Sequence, residues 1–358
     1  MRAAVRAWAE LLRVSALFTV PGDALAGAAA LGRRPGRGTA LAVGASLCLY
    51  EAGMALNDWA DRDEDAIDRP HRPIPSGRIT PGAALAAAGA LTAAGLTMAA
   101  RAGRPALTVA TGLAATVWAY DLRLKHTQAG PAAMAAARAL DLLLGATATA
   151  TAGTGAASVG VERPAGANGT SRAARSARIL SGARGPAQPT RPARTAHTDV
   201  RAALPAAALL GAHTYAVTAV SRHEAQGGST AAPLGALAAI VALGAAAVRE
   251  QRGSRDLPPV PGKGGPGGRH RTRPGAPAPR VLLPALTATY LRTAAEPLLH
   301  ATLNPSPPLT QRAVGSGIRA MIPLQAVLAA RAGAAGTGLA VMGLVPLART
   351  LARKVSLT

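Results

Sequence analysis

Little in this chain can cross-link, stack or carry negative charge. There is one cysteine in 358 residues, Cys48, so no disulfide can form within the chain. Lying in an apolar run, it reads as a small buried hydrophobe. Three Trp, four Tyr and one Phe are all the aromatics. Asp and Glu number 17 against 39 Lys and Arg, a formal net charge of +22. In a soluble protein such an excess suggests nucleic acid. Here most of the surplus Arg sits in two Pro-, Gly- and Ala-rich segments with almost no aromatics beside it, which argues against a nucleic-acid partner. Seven His show no metal-ligand spacing, and no Gly-x-x-x-x-Gly-Lys loop or Ser/His/Asp grouping stands out. No cleavable signal peptide is expected. The first apolar run, near 16–31, lacks a small-residue cleavage site before polar sequence and reads as a retained span.

Apolar sequence is what the chain has in quantity. Hydrophobic residues make up 49%, charged residues 16%, and mean hydropathy is +0.20. The charges cluster between apolar runs of roughly 17 to 23 residues, the length that crosses a ~30 Å hydrocarbon core. The expected fold is an all-α polytopic membrane helix bundle of about nine transmembrane helices, forming one domain over 1–358 and multi-pass in the cell membrane. Spans are expected at 14–32, 39–56, 83–100, 106–120, 132–152, 202–220, 232–248 and 281–299. The apolar stretches 318–330 and 339–347, interrupted at Arg331, form one kinked span or two. Alanine dominates many spans and lets helices approach closely. Two segments, 153–200 and 249–280, have no periodic apolar face and read as flexible loops outside the membrane. Asn168-Gly169-Thr170 matches a glycosylation sequon, with nothing else pointing to that modification. With a cytoplasmic N-terminus, the loops after spans two, four and six share the cytoplasmic side, and those loops carry the polar signatures.

The sharpest signature follows span two: Asn57-Asp58-Trp59-Ala60-Asp61-Arg62-Asp63-Glu64-Asp65, then Arg69-Pro70-His71-Arg72-Pro73. If helix continues through it, Asn57, Asp61 and Asp65 stay within about 80° of one face, with Asp58 on the same side. Carboxylates so placed repel one another, and a divalent cation removes the repulsion. Oxygen-only ligands suit Mg²⁺, which keeps waters and bridges to substrate phosphates. The plainer alternative is a solvated charged loop marking a membrane boundary.

The run 57–80 resembles the first signature of the UbiA family of intramembrane prenyltransferases, and the nine-span layout extends the resemblance over most of the chain. It implies that Asn57, Asp61 and Asp65 hold Mg²⁺ and that Asn57, Asp58 and Arg72 hold the diphosphate of a prenyl donor. Tyr120-Asp121-Leu122-Arg123-Leu124-Lys125, after span four, is similar to the family's Tyr-x-x-x-Leu-Lys element. By that likeness Tyr120 and Lys125 face the same diphosphate, and a membrane-boundary anchor is the plainer reading. After span six the family has a second Asp-rich motif. Here the chain reads Ser221-Arg222-His223-Glu224-Ala225-Gln226, with no aspartate. Arg222 is then a stand-in for metal charge and Glu224 the candidate base, and the departure resembles EboC-type members.

Several ionisable residues fall inside spans, where charge is costly and faces a cavity or a partner. Arg138 with Asp141 and Arg292 with Glu296 are spaced to neutralise each other on one helix. Asp23, beyond a kink at Pro21-Gly22, and Glu51 are candidates for a pocket wall. The expected activity is Mg²⁺-dependent transfer of a prenyl group from a prenyl diphosphate to an unknown acceptor within membrane lipid. Catalysis would rest on Asp61, Asp65, Lys125 and Glu224. A non-catalytic binder or carrier of an isoprenoid diphosphate is the alternative. An ion-coupled transporter is a third class, which predicts an internal repeat that the sequence does not clearly show.

Overall fold

The computed structural model describes residues 2–155, 200–222, 229–253 and 281–346, and every regular element among them is helical. Most of the two Arg-rich segments, the Asn168 sequon and Glu224 lie outside the described residues. The elements are α1 (Arg2–Leu11), a 3₁₀ turn (Val14–Thr19), α2 (Pro21–Ala30), α3 (Arg37–Ala60), α4 (Arg62–Asp68), α5 (Pro81–Ala102) and α6 (Arg104–Ala119). A π turn (Tyr120–Leu124) follows, then α7 (Gly130–Gly155), α8 (Leu204–Ser221), α9 (Ala231–Gly253), α10 (Leu282–Leu303), α11 (Pro307–Arg331) and α12 (Ala335–Met342).

The boundaries follow local chemistry. Proline opens α2, α5, α6, α8 and α11 at the first or second position, where its missing N–H costs nothing. Thr80 caps α5 by accepting from the Ala83 N–H at 3.2 Å. Gly103, at φ 130°, turns the chain tightly from α5 into α6. Gly333, at φ 83°, separates α11 from α12, so the last apolar stretch forms two helices.

Among the described residues, six helices are long and apolar enough to cross a membrane: α3, α5, α7, α8, α9 and α11. The other expected spans are shorter or more polar. The first is a 3₁₀ turn joined to the ten-residue α2, α6 has sixteen residues, and α10 carries Arg292 and Glu296. Those two charges do not pair as expected. Both are exposed on the outer face of α10, in the Arg-before-Glu order that gives the weaker helical pairing.

Small residues set the packing. Where α2 crosses α7, a Cβ on Gly27 would lie 2.2 Å from the Leu142 carbonyl oxygen, and one on Gly145 would lie 2.3 Å from Ala24 Cα. The backbones touch there, as small-residue crossings allow. One core packs α8 to α11 against α2 and α7, and a second packs α3, α5 and α6 against α7. The most buried of the six long helices is α11. It is tied to α8 and α10 through His213, whose Nδ1 is 3.0 Å from Tyr290 Oη and whose Nε2 is 3.0 Å from the Gly317 carbonyl.

Contacts between helix ends sort the bundle into two poles. At one, Arg33 donates to the Ala150 carbonyl, Thr151 to the Ala102 carbonyl, and Ala30, Ala202 and Arg331 line one small hollow. At the other lie the ends of α3, α6 and α8, where Arg222 donates to Gln128 at 3.1 Å. Spans two, four and six therefore do end together, and the polar signatures share that pole.

Candidate active site

The site grows from one face of α3. Ser46, Tyr50, Gly53 and Asn57, spaced by three or four residues, all line a cavity of about 250 Å³. α3 stops at Asp61, whose φ of −91° and ψ of 5° leave the α region, and α4 restarts one residue later. The hydrogen-bond ladder survives the break. Asp61 N donates to Asn57 O at 3.0 Å, Asp65 N to Asp61 O at 2.8 Å, and Arg69 N to Asp65 O at 2.9 Å. Asn57, Asp61 and Asp65 thus stack on successive turns, and the acidic first turn of α4 suits the positive end of its helix dipole.

Each carboxylate meets a cation. Asp58 Oδ1 accepts from Arg13 at 2.9 Å and from Arg72 at 3.3 Å, and Arg72 also donates to Asp65 Oδ2 at 2.7 Å. Lys125 donates to Asp61 Oδ1. Arg69 Nε lies 2.9 Å from Asp65 Oδ1, but without hydrogen-bond alignment, so that fully buried oxygen accepts no hydrogen bond. Arg13 reaches Asp58 from a left-handed backbone (φ 49°, ψ 46°), a strained conformation for a residue with a Cβ. Its helix α1 is fastened alongside by Glu10, which accepts from Arg78 at 2.6 and 3.1 Å, and that bond holds the Glu10 carboxyl below its ordinary range.

The opposite wall comes from the end of α6. There the chain widens into the π turn, in which Lys125 N donates to Tyr120 O at 3.0 Å, a device common at functional sites. The turn brings Tyr120 and Asp121 to the cavity and Lys125 to Asp61. Asp121, just beyond α6, is 5% exposed. Burial pushes its carboxyl up to about 7, Lys125 opposes the rise, and Asp61 adds to it.

The cavity also reaches Arg138 and Asp141 on α7. Arg138 pairs with Asp23 at 2.5 Å, whereas Asp141 on its own helix lies 3.9 Å away and is bonded by Ser46. Asp23 also accepts from Gln325 at 2.6 Å. The closer neutralisation is therefore between helices, because the guanidinium points across to α2. Asp23 acts behind the cavity wall, and Glu51 is buried elsewhere, with one carboxylate oxygen unpartnered. Of the sequence-derived set, Asn57 and Tyr120 line the cavity, while Asp58, Asp61, Asp65, Arg72 and Lys125 form the ion-pair ring beyond it. Arg222 is exposed at the same pole and bonded to Gln128. The sequence reading did not find Arg13 or single out Asp121. Arg13 is one of three arginines ahead of the first apolar run and carries no signal of its own, while the signal for Asp121 was an acid set inside a basic motif.

The UbiA prenyltransferase family profile matches residues 15–256, more than half the chain and all of this geometry but α1, Arg13 and Gln325. The chain belongs to that family. Its sequence is 37% identical over 128 residues to a digeranylgeranylglyceryl phosphate synthase of Methanopyrus kandleri, covering 34% of this chain and 45% of that one. It is 49% identical over 49 residues to the chloroplastic chlorophyll synthase of Oryza sativa subsp. japonica, covering 14% and 13%. The chain thus spans less than half the length of these curated relatives. Its fold matches the apo structure of a UbiA homolog from Aeropyrum pernix K1, with a TM-score of 0.57 at 13% identity over 87% of this chain and 96% of that one. Two features at this site suit a divalent cation. Asp65 Oδ1 is buried without a hydrogen bond, and ligand atoms of Asp61, Glu64 and His126 lie within 4.8 Å of one another.

Proposed function

We propose that this protein is a multi-pass prenyltransferase of the cell membrane, which moves a prenyl group from a prenyl diphosphate to an acceptor. The observation that carries this reading is the arrangement of Asp58, Asp61 and Asp65 with Arg13, Arg72 and Lys125 at the end of one cavity, in a chain of this family. Asn57, Asp61 and Asp65 would hold Mg²⁺, which when bound supplies positive charge to the diphosphate leaving group. Arg72 and Lys125 hold diphosphate oxygens as fixed cations, and Arg13 adds a third. Asp58 and Asp65 orient Arg72 by gripping it from two sides. The apolar wall of Leu49, Met54, Leu113, Val117 and Met134 excludes water from the reacting carbon.

The absence of aspartate from the segment 221–226 favours a second reading, a binder that holds an isoprenoid diphosphate without turnover. One assay separates the two. Protein in liposomes of its host's polar lipids, given radiolabelled geranylgeranyl diphosphate and Mg²⁺, is expected to release diphosphate and place label in lipid. Asp61→Asn should slow this about a hundredfold or more. Mg²⁺-dependent binding without turnover would select the binder, and unchanged turnover in Asp61→Asn would discard this site.

A further inference from the structure

Among the described residues six carboxylates are buried: Asp23, Glu51, Asp58, Asp65, Asp121 and Asp141. Of these, only Asp121 and Asp141 line the cavity, and Asp141 already accepts from Ser46. Asp121 has no hydrogen bond and no ion pair among the described residues, although it is 95% buried and faces the cavity. An uncompensated carboxylate in such a place is costly unless a ligand donates to it.

Its position narrows the role. A Cβ built on Gly53 would lie 3.7 Å from Asp121 Oδ2, so the carboxylate stands opposite Gly53, one helical turn below Asn57. The four residues from Gly53 to Asn57 rise about 6 Å along α3. A diphosphate held at Asn57 and Asp61, with its prenyl chain running into the cavity, would bring its first prenyl carbon toward Asp121. Gly53 keeps that space open, since any side chain there would fill it.

We propose that Asp121 is the general base of the transfer, taking the proton that the acceptor loses. This deepens the prenyltransferase reading and rests on it. The acceptor's nucleophilic atom forms a bond to the first prenyl carbon as the bond from that carbon to the diphosphate oxygen breaks. The bonding pair leaves with the diphosphate, and the proton on the acceptor's nucleophilic atom passes to an oxygen of Asp121. Lys125 and Arg13 favour the ionised carboxylate before the reaction, while Asp61 and Asp58 favour its taking up the proton. Tyr120 beside it, Tyr50 on α3, and Arg138 and Asp141 on α7 are, with Arg13, the other ionisable groups on these walls.

The test uses the full chain in liposomes of host polar lipids, which supply mixed acceptors, with labelled geranylgeranyl diphosphate and Mg²⁺. Asp121→Asn is expected to cut label transfer to lipid about a hundredfold, with donor binding changed less than threefold. Asp121→Glu should recover part of the rate. Wild-type transfer should rise with pH around 7, because the base works deprotonated, and Asp121→Asn should lose that rise. Transfer by Asp121→Asn within threefold of wild type, or with the pH rise intact, overturns the assignment to Asp121 alone. So does loss of the rise in Glu224→Gln with Asp121→Asn unaffected. No transfer by the wild type overturns the prenyltransferase reading, and this proposal with it.

Discussion

At the scale of single residues, Asp65 shows how one side chain can organise a site without lining it. It is fully buried, and it orients Arg72 together with Asp58. Asp65→Asn should therefore act in two ways. Stability should fall by about 1–3 kcal/mol, less than the 3–5 of a fully buried broken pair, because Arg69 keeps partial contact with solvent. Donor affinity should also fall, by about tenfold, because an untethered Arg72 loses its preorganisation. Thermal unfolding and equilibrium binding of geranylgeranyl diphosphate would read the two effects separately. A variant that lost stability but bound the donor as before would leave Asp65 a purely structural residue. The i, i+4 spacing of Asn57, Asp61 and Asp65 was legible in the sequence because it is local. The partners were not. Arg13 lies 45 residues from Asp58, and Asp23 lies 115 from Arg138, so both pairs exist only once the bundle has closed.

At the scale of elements, the alanine and glycine content that the sequence displays becomes a set of backbone contacts. The α2–α7 crossing makes this testable. Gly145→Ala drives a Cβ to 2.3 Å from Ala24 Cα, and only movement of a helix backbone can relieve that. The expected cost is about 1–3 kcal/mol. Gly89→Ala, in the middle of α5 with nothing within 4 Å of its new Cβ, should instead stabilise by about 0.5–1 kcal/mol. Thermal unfolding in detergent, followed by tryptophan fluorescence, should shift in opposite directions for the two. Equal effects would mean that the crossing is looser than described. The long apolar helices could be read to within a few residues because hydropathy and proline mark their ends. The first span could not. Pro21 and the 3₁₀ turn before it shorten α2 to ten residues, and an apolar run does not reveal whether it coils as one helix.

For the whole molecule, the two poles make a prediction about topology. Asp63 and Gln128 are exposed at the pole bearing the carboxylates, and Arg34 and Arg101 are exposed at the other. The positive-inside rule counts Lys and Arg in short loops and near span ends, and gives little weight to long loops or to acidic residues. The carboxylate pole carries Arg62, Arg69, Arg72, Arg78, Arg123, Lys125 and Arg222, and α1 with the turn after it adds Arg2, Arg6 and Arg13. The opposite pole has Arg33, Arg34, Arg37, Arg101, Arg104, Arg201 and Arg331, and the Arg-rich segments 153–200 and 249–280 also attach there and are short enough to count. The Lys and Arg balance alone turns that opposite pole inward, whereas a diphosphate donor supplied from the cytoplasm turns the carboxylate pole there, and labelling decides between the two. Cys48 is the one native cysteine, so a Cys48→Ser background permits single-cysteine labelling. In right-side-out vesicles a membrane-impermeant maleimide should reach Arg34→Cys and Arg101→Cys but not Asp63→Cys or Gln128→Cys, and inverted vesicles should reverse the pattern. Labelling of Asp63→Cys and Arg34→Cys from the same face would break the two-pole arrangement. A full reversal would keep that arrangement but require the diphosphate to arrive from outside the cell.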